Sequence, residues 1–266
     1  MNKMLGMALL LALVACVPEN RTPIQGKAIT FGTQEPLLSL QTKTSETSSL
    51  SSFKLVATTG ATGSETARWS NVLFTRSGDV YYGGKLWPEQ DPSFHFYAAN
   101  VNLTPTASGA QVTATTATDV VCAYLPNPIY GENNILVFKH IFTRIAGVNI
   151  LAESGYSLSQ IQISLTPRTG GVYQLAAGAG HRDESGWSSV VTGADTVIAS
   201  ALGQNPDNLY LVPGMYTLQI GWSWQKGGGS LTAASRQLSL DLESGTSYSL
   251  SFVLGEEMAF GVDLDA

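Results

Sequence analysis

Apolar and polar residues alternate along several segments of this chain, and this two-residue period constrains its fold more than any other feature. Ile161, Ile163 and Leu165 are separated by polar residues, as a half-buried strand requires. The same pattern recurs at 216–224, 238–242 and 248–254, with turns rich in Gly and Ser between the segments. Helical periodicity is nearly absent. The sequence therefore predicts an all-β fold that ends in an antiparallel meander.

The first half has shorter strand-like segments, at 53–57, 79–82 and 94–98, and then a break. Residues 125–134 are rich in Pro and Asn, which favour turned or extended backbone over sheet. We therefore predict a domain boundary there, with one β-sandwich domain at 28–132 and a second at 133–266. Each is large enough to hold its own core.

The amino terminus carries an export signal. Lys3 precedes an apolar run that is too short to span a bilayer, and the run ends in Leu13-Val14-Ala15-Cys16, which resembles a bacterial lipobox. We expect residues 1–15 to be removed and Cys16 to carry the lipid anchor. Each buried lipid methylene contributes about 0.8 kcal/mol, so several chains hold a domain at a membrane. Polar residues 16–27 are expected to form a tether.

The charge of the chain argues against a nucleic-acid partner. The full sequence has 14 Lys and Arg against 20 Asp and Glu. Loss of Lys3 with the signal leaves 13 against 20, a net charge of −7. The basic residues are scattered, whereas binding to phosphates needs a clustered basic face. Once Cys16 is acylated, Cys122 is the one remaining cysteine, so an intrachain disulfide and a cysteine zinc site are excluded.

The lipobox is followed by strand-like and turn-like segments at 28–31, 52–57, 81–82, 86–88, 94–98, 119–123, 138–145, 211–213 and 245–248. In this order, the segments resemble the fimbrillin family of Bacteroidetes, the subunits of surface pili sometimes called type V. The resemblance covers nearly the whole chain after the signal, and it depends on the joint order of the segments.

This resemblance implies tandem Greek-key β-sandwiches of the transthyretin-like type and a non-enzymatic role in adhesion, without a cofactor. It also implies a lipoprotein precursor, anchored at the outer membrane and displayed at the cell surface. The resemblance further implies that a trypsin-like protease removes the first strand and that a neighbouring pilin subunit donates a strand into the groove that remains. The host or bacterial surface ligand is not named by the sequence.

Two basic residues are candidates for the protease cut. The family commonly has Thr-Arg in the loop after the first strand, and Thr42-Lys43 stands at the matching place. Arg21 is the second candidate, but a cut there would sever the lipid without freeing the strand. Lys43 is alternatively an ordinary solvated loop lysine.

The chain ends in a further alternating segment, with Met258, Phe260, Val262 and Leu264 on one face. This segment is the candidate donor strand for a neighbouring subunit. Alternatively, it pairs along an edge of its own domain, as terminal strands usually do. A docked strand favours a tip or terminal subunit, which accepts a strand without giving one.

The three histidines do not form a convergent catalytic set. His95 is out of phase with Phe94 and Phe96, which predicts a surface or edge position. His140 lies between Phe138 and Phe142 and is expected to be a hydrogen-bonded structural residue. His181 begins a charged loop, 181–184, which is a weak candidate for a cation site.

One alternative function comes from Trp222 and Trp224, which share a strand face. They could form a sugar-stacking platform, and the protein would then be a surface carbohydrate-binding lipoprotein. Core packing explains them more simply, because Tyr216, Leu218 and Ile220 lie on the same face.

Overall fold

The computed structural model describes residues 27–34, 50–88, 93–175, 186–203 and 208–265. These residues contain no α-helix, so the predicted all-β class is confirmed. The first ten strands are β1 (Ala28–Gln34), β2 (Ser52–Thr59), β3 (Thr66–Ser77), β4 (Val80–Leu86), β5 (Phe94–Ala99), β6 (Thr104–Thr106), β7 (Gly109–Thr115), β8 (Val121–Pro126), β9 (Asn133–Val137) and β10 (Lys139–His140). The next ten are β11 (Thr143–Ala152), β12 (Tyr156–Leu165), β13 (Arg168–Leu175), β14 (Trp187–Thr192), β15 (Thr196–Ala199), β16 (Leu209–Leu211), β17 (Gly214–Lys226), β18 (Thr232–Leu242), β19 (Ser247–Leu254) and β20 (Met258–Asp265).

The largest sheet folds over on itself, and we call it the curled sheet. Its strand order is β10-β8-β5-β2-β3-β4-β1-β9. β1 and β5 are four strands apart, which is about 19 Å in a flat sheet. The ring centroids of Phe31 on β1 and Phe96 on β5 are nevertheless only 5.2 Å apart. The inner face of the curled sheet therefore encloses one core, whose largest members are Ile29, Phe31, Phe53, Phe74, Tyr81, Trp87, Phe94, Phe96 and Phe138.

A second sheet, the cover sheet, packs against the outer face of β2, β5 and β8. It has the order β14-β13-β7-β6. The core between the two sheets includes Val56, Tyr97, Val112, Cys122, Tyr173, Leu175 and Trp187. All six residues of β5 are consequently buried, because one face meets the inner core and the other meets the cover sheet.

The remaining strands form a two-layer sandwich. Its sheets have the orders β16-β11-β19-β20 and β15-β12-β17-β18, and they enclose a single core. Members of this core from both sheets include Val148, Ile150, Ile163, Leu218, Ile220, Trp222, Leu250 and Phe252. The predicted alternation is confirmed: buried positions alternate with exposed ones along most of β17, and with exposed or partly buried ones along β19. Greek-key connectivity and the transthyretin-like type stay predictions.

Hydrogen bonding crosses the boundary that the sequence places between residues 132 and 133. β9 pairs in parallel with β1, and its Leu136 is buried in the curled-sheet core. β13 pairs with β7, so strands from both predicted domains share the cover sheet. The turn signals at 125–134 are local, whereas pairing depends on which distant strand edge is available.

Candidate functional site

β1, the strand that the predicted cut would release, lies inside the curled sheet and not at its edge. It pairs antiparallel with β4, where Phe31 faces Tyr81, and parallel with β9, from Thr30 to Gln34. Loss of β1 would leave backbone N–H and C=O groups of both neighbouring strands without partners. Such unpaired edges bind other extended segments.

The side chains of β1 supply the centre of the curled-sheet core. Ile29 and Phe31 are 1% and 0% exposed. The Phe31 ring makes edge contacts with Phe74, Phe96 and Phe53, at centroid distances of 5.1, 5.2 and 6.1 Å. Such aromatic pairs contribute about 0.5–1.5 kcal/mol beyond the burial of area. Removing β1 would therefore open an apolar groove lined with aromatic rings.

The predicted lipid-anchor residue and the two predicted cleavage sites lie outside the described residues. These are Cys16, Arg21 and Lys43, and their roles stay predictions. Lys43 is the one Lys or Arg in the sequence at 35–49, the segment between β1 and β2. A cut there would leave β1 on one fragment and the other strands on the other.

The terminal strand β20 is docked on its own sheet. It pairs antiparallel with β19 from Met258 to Asp265 and forms an edge of the sandwich. Met258 and Phe260 pack against the sandwich core, and the Phe260 ring lies 4.9 Å from that of Phe252. Val262 and Leu264 are 38% and 58% exposed. The strand is thus held mainly by its backbone pairs and by its first half.

A buried carboxylate that the sequence analysis missed lies between the curled and cover sheets. Glu65 is 7% exposed and accepts hydrogen bonds from the hydroxyls of Thr58 and Tyr97, the latter at 3.0 Å. Its backbone N–H donates to the Ala107 carbonyl at 2.8 Å, which ties the turn after β2 to the β6–β7 hairpin. A lone Glu in a turn of Gly, Ser and Thr carries no sequence signal of burial.

The prediction that His95 lies at the surface or an edge is wrong. It is 8% exposed, with Nδ1 3.1 Å from the Tyr124 hydroxyl and Nε2 3.2 Å from the Gly60 carbonyl. The phase was correct, since His95 faces away from Phe94 and Phe96. The cover sheet buries the second face of β5. The packing of a second sheet does not change the two-residue alternation of a strand, so the sequence does not reveal it.

Burial of tyrosines predicts that the fold weakens at high pH. Burial raises the pKa of Tyr97, and the nearby charge of Glu65 raises it further. Burial also raises the pKa of Tyr173, to about 12. A phenol with a raised folded-state pKa contributes stability that is complete below its unfolded pKa of about 10 and is lost above it. For Tyr173 we expect a loss of about 2–3 kcal/mol between pH 10 and 12.

Urea unfolding of the wild type and of Tyr173→Phe, at several pH values on both sides of pH 10, checks this expectation. The Tyr173→Phe variant lacks the titrating hydroxyl, so its free energy of unfolding should fall less steeply. Equal slopes for the two proteins would contradict the assignment to Tyr173.

The alternative tryptophan platform is not formed. Trp222 is 3% exposed, and its indole N–H donates to the Gly255 carbonyl at 2.8 Å inside the sandwich. Trp224 packs partly against the same core, with its ring 5.5 Å from that of Tyr156. Core packing therefore accounts for both residues.

The remaining candidates are His140 and the loop at 181–184. His140 Nδ1 is 2.8 Å from Asp119 Oδ1, which confirms a hydrogen-bonded histidine. The loop 181–184 lies outside the described residues. Within them, no group of three His, Cys, Asp or Glu could hold a metal ion. Among the described residues there is no helix with the length and hydropathy of a membrane span.

Comparisons with known proteins address the fold. No protein-family model and no curated protein matches the chain. Among solved structures, a fimbrial protein of Bacteroides vulgatus matches with a TM-score of 0.53 at 12% identity, over 89% of this chain and 99% of its own. A proposed cell adhesion protein of Parabacteroides distasonis matches with a TM-score of 0.60 at 9% identity, over 91% and 97%. Another, of Bacteroides ovatus, matches with 0.53 at 14%, over 90% and 97%. This chain therefore has the fold of Bacteroidetes fimbrial and cell adhesion proteins, as the resemblance in its sequence predicts.

Proposed function

We propose that this chain is a fimbrillin-like subunit of a surface pilus that acts in cell adhesion. Its role is structural and not catalytic. It is exported as a lipoprotein, anchored through Cys16 at the outer membrane, and assembled with other pilin subunits by strand exchange. The observation that carries the proposal is the position of β1, an internal strand whose Phe31 fills the centre of an aromatic core.

Strand exchange at β1 requires the cut of only one peptide bond. A cut after Lys43 separates β1 from every other strand, while its non-covalent contacts initially hold it in place. A replacement strand needs apolar residues two positions apart, to fill the places of Ile29 and Phe31, and a backbone that pairs with β4 and β9. A cut at Arg21 would release only the tether.

The docked β20 favours a tip or terminal position for this subunit. To serve as a donor, β20 must give up its backbone pairs with β19 and the packing of Met258 and Phe260. The exposed Val262 and Leu264 would be a natural first segment to detach. In a terminal subunit β20 stays in place and only the groove is used.

Limited trypsin treatment of the purified full-length chain tests the proposal. We expect a cut after Lys43, release of the fragment that contains β1, and capture of a synthetic peptide with the sequence of residues 258–265. Intact mass and native gel electrophoresis measure the outcome. A ladder of oligomers without added peptide would indicate a stalk subunit, and peptide capture without a ladder a terminal one.

Three protein variants and one altered peptide are the controls for this experiment. Lys43→Ala should abolish release and capture, Lys43→Arg should preserve both, and Arg21→Ala should change neither. A peptide with Ser at the four apolar positions should not bind, because it cannot fill the groove. If the cut chain keeps its β1 fragment and binds no peptide, strand exchange is refuted.

A further inference from the structure

A polar groove lies where the chain crosses between the cover sheet and the sandwich. The chain passes from β12 to β13 through Thr166, and returns from β14 to β15 through Asp195. The two crossings and the start of β17 enclose a volume of about 420 Å³. Ligand sites of about 300–1,000 Å³ occur preferentially at such junctions between structural units.

The groove continues across the outer face of the sandwich. A second depression of about 340 Å³ shares Ser164 and Gln219 with the first and reaches Gln237 on β18. Three of its residues lie side by side on neighbouring strands: Ser164 on β12 pairs with Gln219 on β17, which pairs with Gln237 on β18. It therefore extends over three strands, about 10 Å.

The walls of the groove are held in place by contacts within the protein. The Arg168 guanidinium lies 4.5 Å from the centre of the Tyr216 ring and donates through Nη2 to the Met215 carbonyl at 2.9 Å. The Thr166 hydroxyl donates to Asp195 Oδ1, which links the two crossings. A site whose side chains are fixed before binding loses less entropy when a ligand arrives.

The lining has hydrogen-bonding capacity that the fold does not use. Within the described part of the chain, the side chains of Ser164, Thr192, Thr217 and Gln219 make no hydrogen bond to protein. Hydroxyl and amide groups both donate and accept, as do the hydroxyls of a sugar. In the first depression the Asp195 carboxylate and the Arg168 guanidinium balance in charge, and Arg236 in the second depression adds one positive charge.

We infer that this groove binds a short neutral oligosaccharide. The ligand class follows from a shallow, elongated shape, mixed donors and acceptors, and a first depression without net charge. The inference rests on the adhesive role proposed above and gives it a ligand. The groove lies away from β1 in the sheet order, so binding and strand exchange use different residues.

Saturation-transfer NMR with the purified full-length chain tests the inference. The probes are maltotriose, cellotriose, mannotriose and N-acetyllactosamine, with sialyllactose as an anionic probe. We expect saturable binding of at least one neutral probe at millimolar concentration. Thr217→Trp fills the groove and should abolish this binding, and Asp195→Ala should weaken it about tenfold, as the loss of a charged hydrogen bond does.

Ser157→Trp is the matched control, since it adds the same ring at an exposed position of β12 outside the groove. It should bind like the wild type. The inference is overturned if no neutral probe binds, if only sialyllactose binds, or if Thr217→Trp binds unchanged. Strand exchange is scored separately with trypsin on the same variants: glycan binding without peptide capture refutes the assembly proposal alone, and the reverse refutes the glycan site alone.

Discussion

Replacing Phe31 by alanine is expected to lower the free energy of unfolding by about 3–5 kcal/mol, the range for truncating a buried aromatic side chain. Phe31 is 0% exposed and contacts three other rings. These rings are held on β2, β3 and β5, strands that pair with one another, so they cannot easily close the space. Urea denaturation of the uncut chain measures the loss.

Thr30→Ala is the control, because Thr30 is on the same strand and only half-buried. It should change stability by less than about 1 kcal/mol. The Phe31→Ala variant should also release the fragment with β1 faster after the trypsin cut, since the strand has lost its main anchor. Equal stability losses for the two variants would show that β1 is not seated as described.

Replacing Trp222 by alanine is expected to cost a similar 3–5 kcal/mol, in the sandwich and not in the curled sheet. The variant loses the core contacts of the indole and its hydrogen bond to the Gly255 carbonyl. Gly255 lies between β19 and β20, so the substitution also loosens the turn that holds the terminal strand. Urea denaturation and hydrogen exchange of β20 amides measure the two effects.

Trp224→Ala is the matched comparison, since Trp224 is the neighbouring indole on the same strand face and is only partly buried. We expect it to cost about half as much or less, in proportion to its smaller buried area. If both variants keep full stability, the two tryptophans are not core residues and a sugar-binding platform must be reconsidered.

Local sequence patterns predicted the strands of the sandwich well. Ile161, Ile163 and Leu165 alternate with polar residues, and all three are buried in the sandwich core. This success has a physical basis, because a strand with one face in water must repeat every two residues. The same rule found β20, but it could not say whether β20 is docked or free, since both states need one apolar face.

At His95 the two-residue alternation of apolar and polar residues does not predict burial correctly. Its position out of phase with Phe94 predicts solvent, yet it is buried, with Tyr124 on β8 and the Gly60 carbonyl in the turn after β2 as its partners. Glu65 shows the same for charge: nothing near it in the chain marks it as buried, and its partners Thr58 and Tyr97 come from other strands. Both environments are created by sheet packing, not by neighbours in sequence.

By itself the sequence determined the β class, the alternating faces and the single basic residue at 35–49. The tertiary structure decided that β1 is internal, that strands on both sides of residue 132 share sheets, and that a polar groove forms at Thr166 and Asp195. The reason is that alternation is a property of one strand, whereas pairing and grooves depend on which strand edges and crossings meet in space.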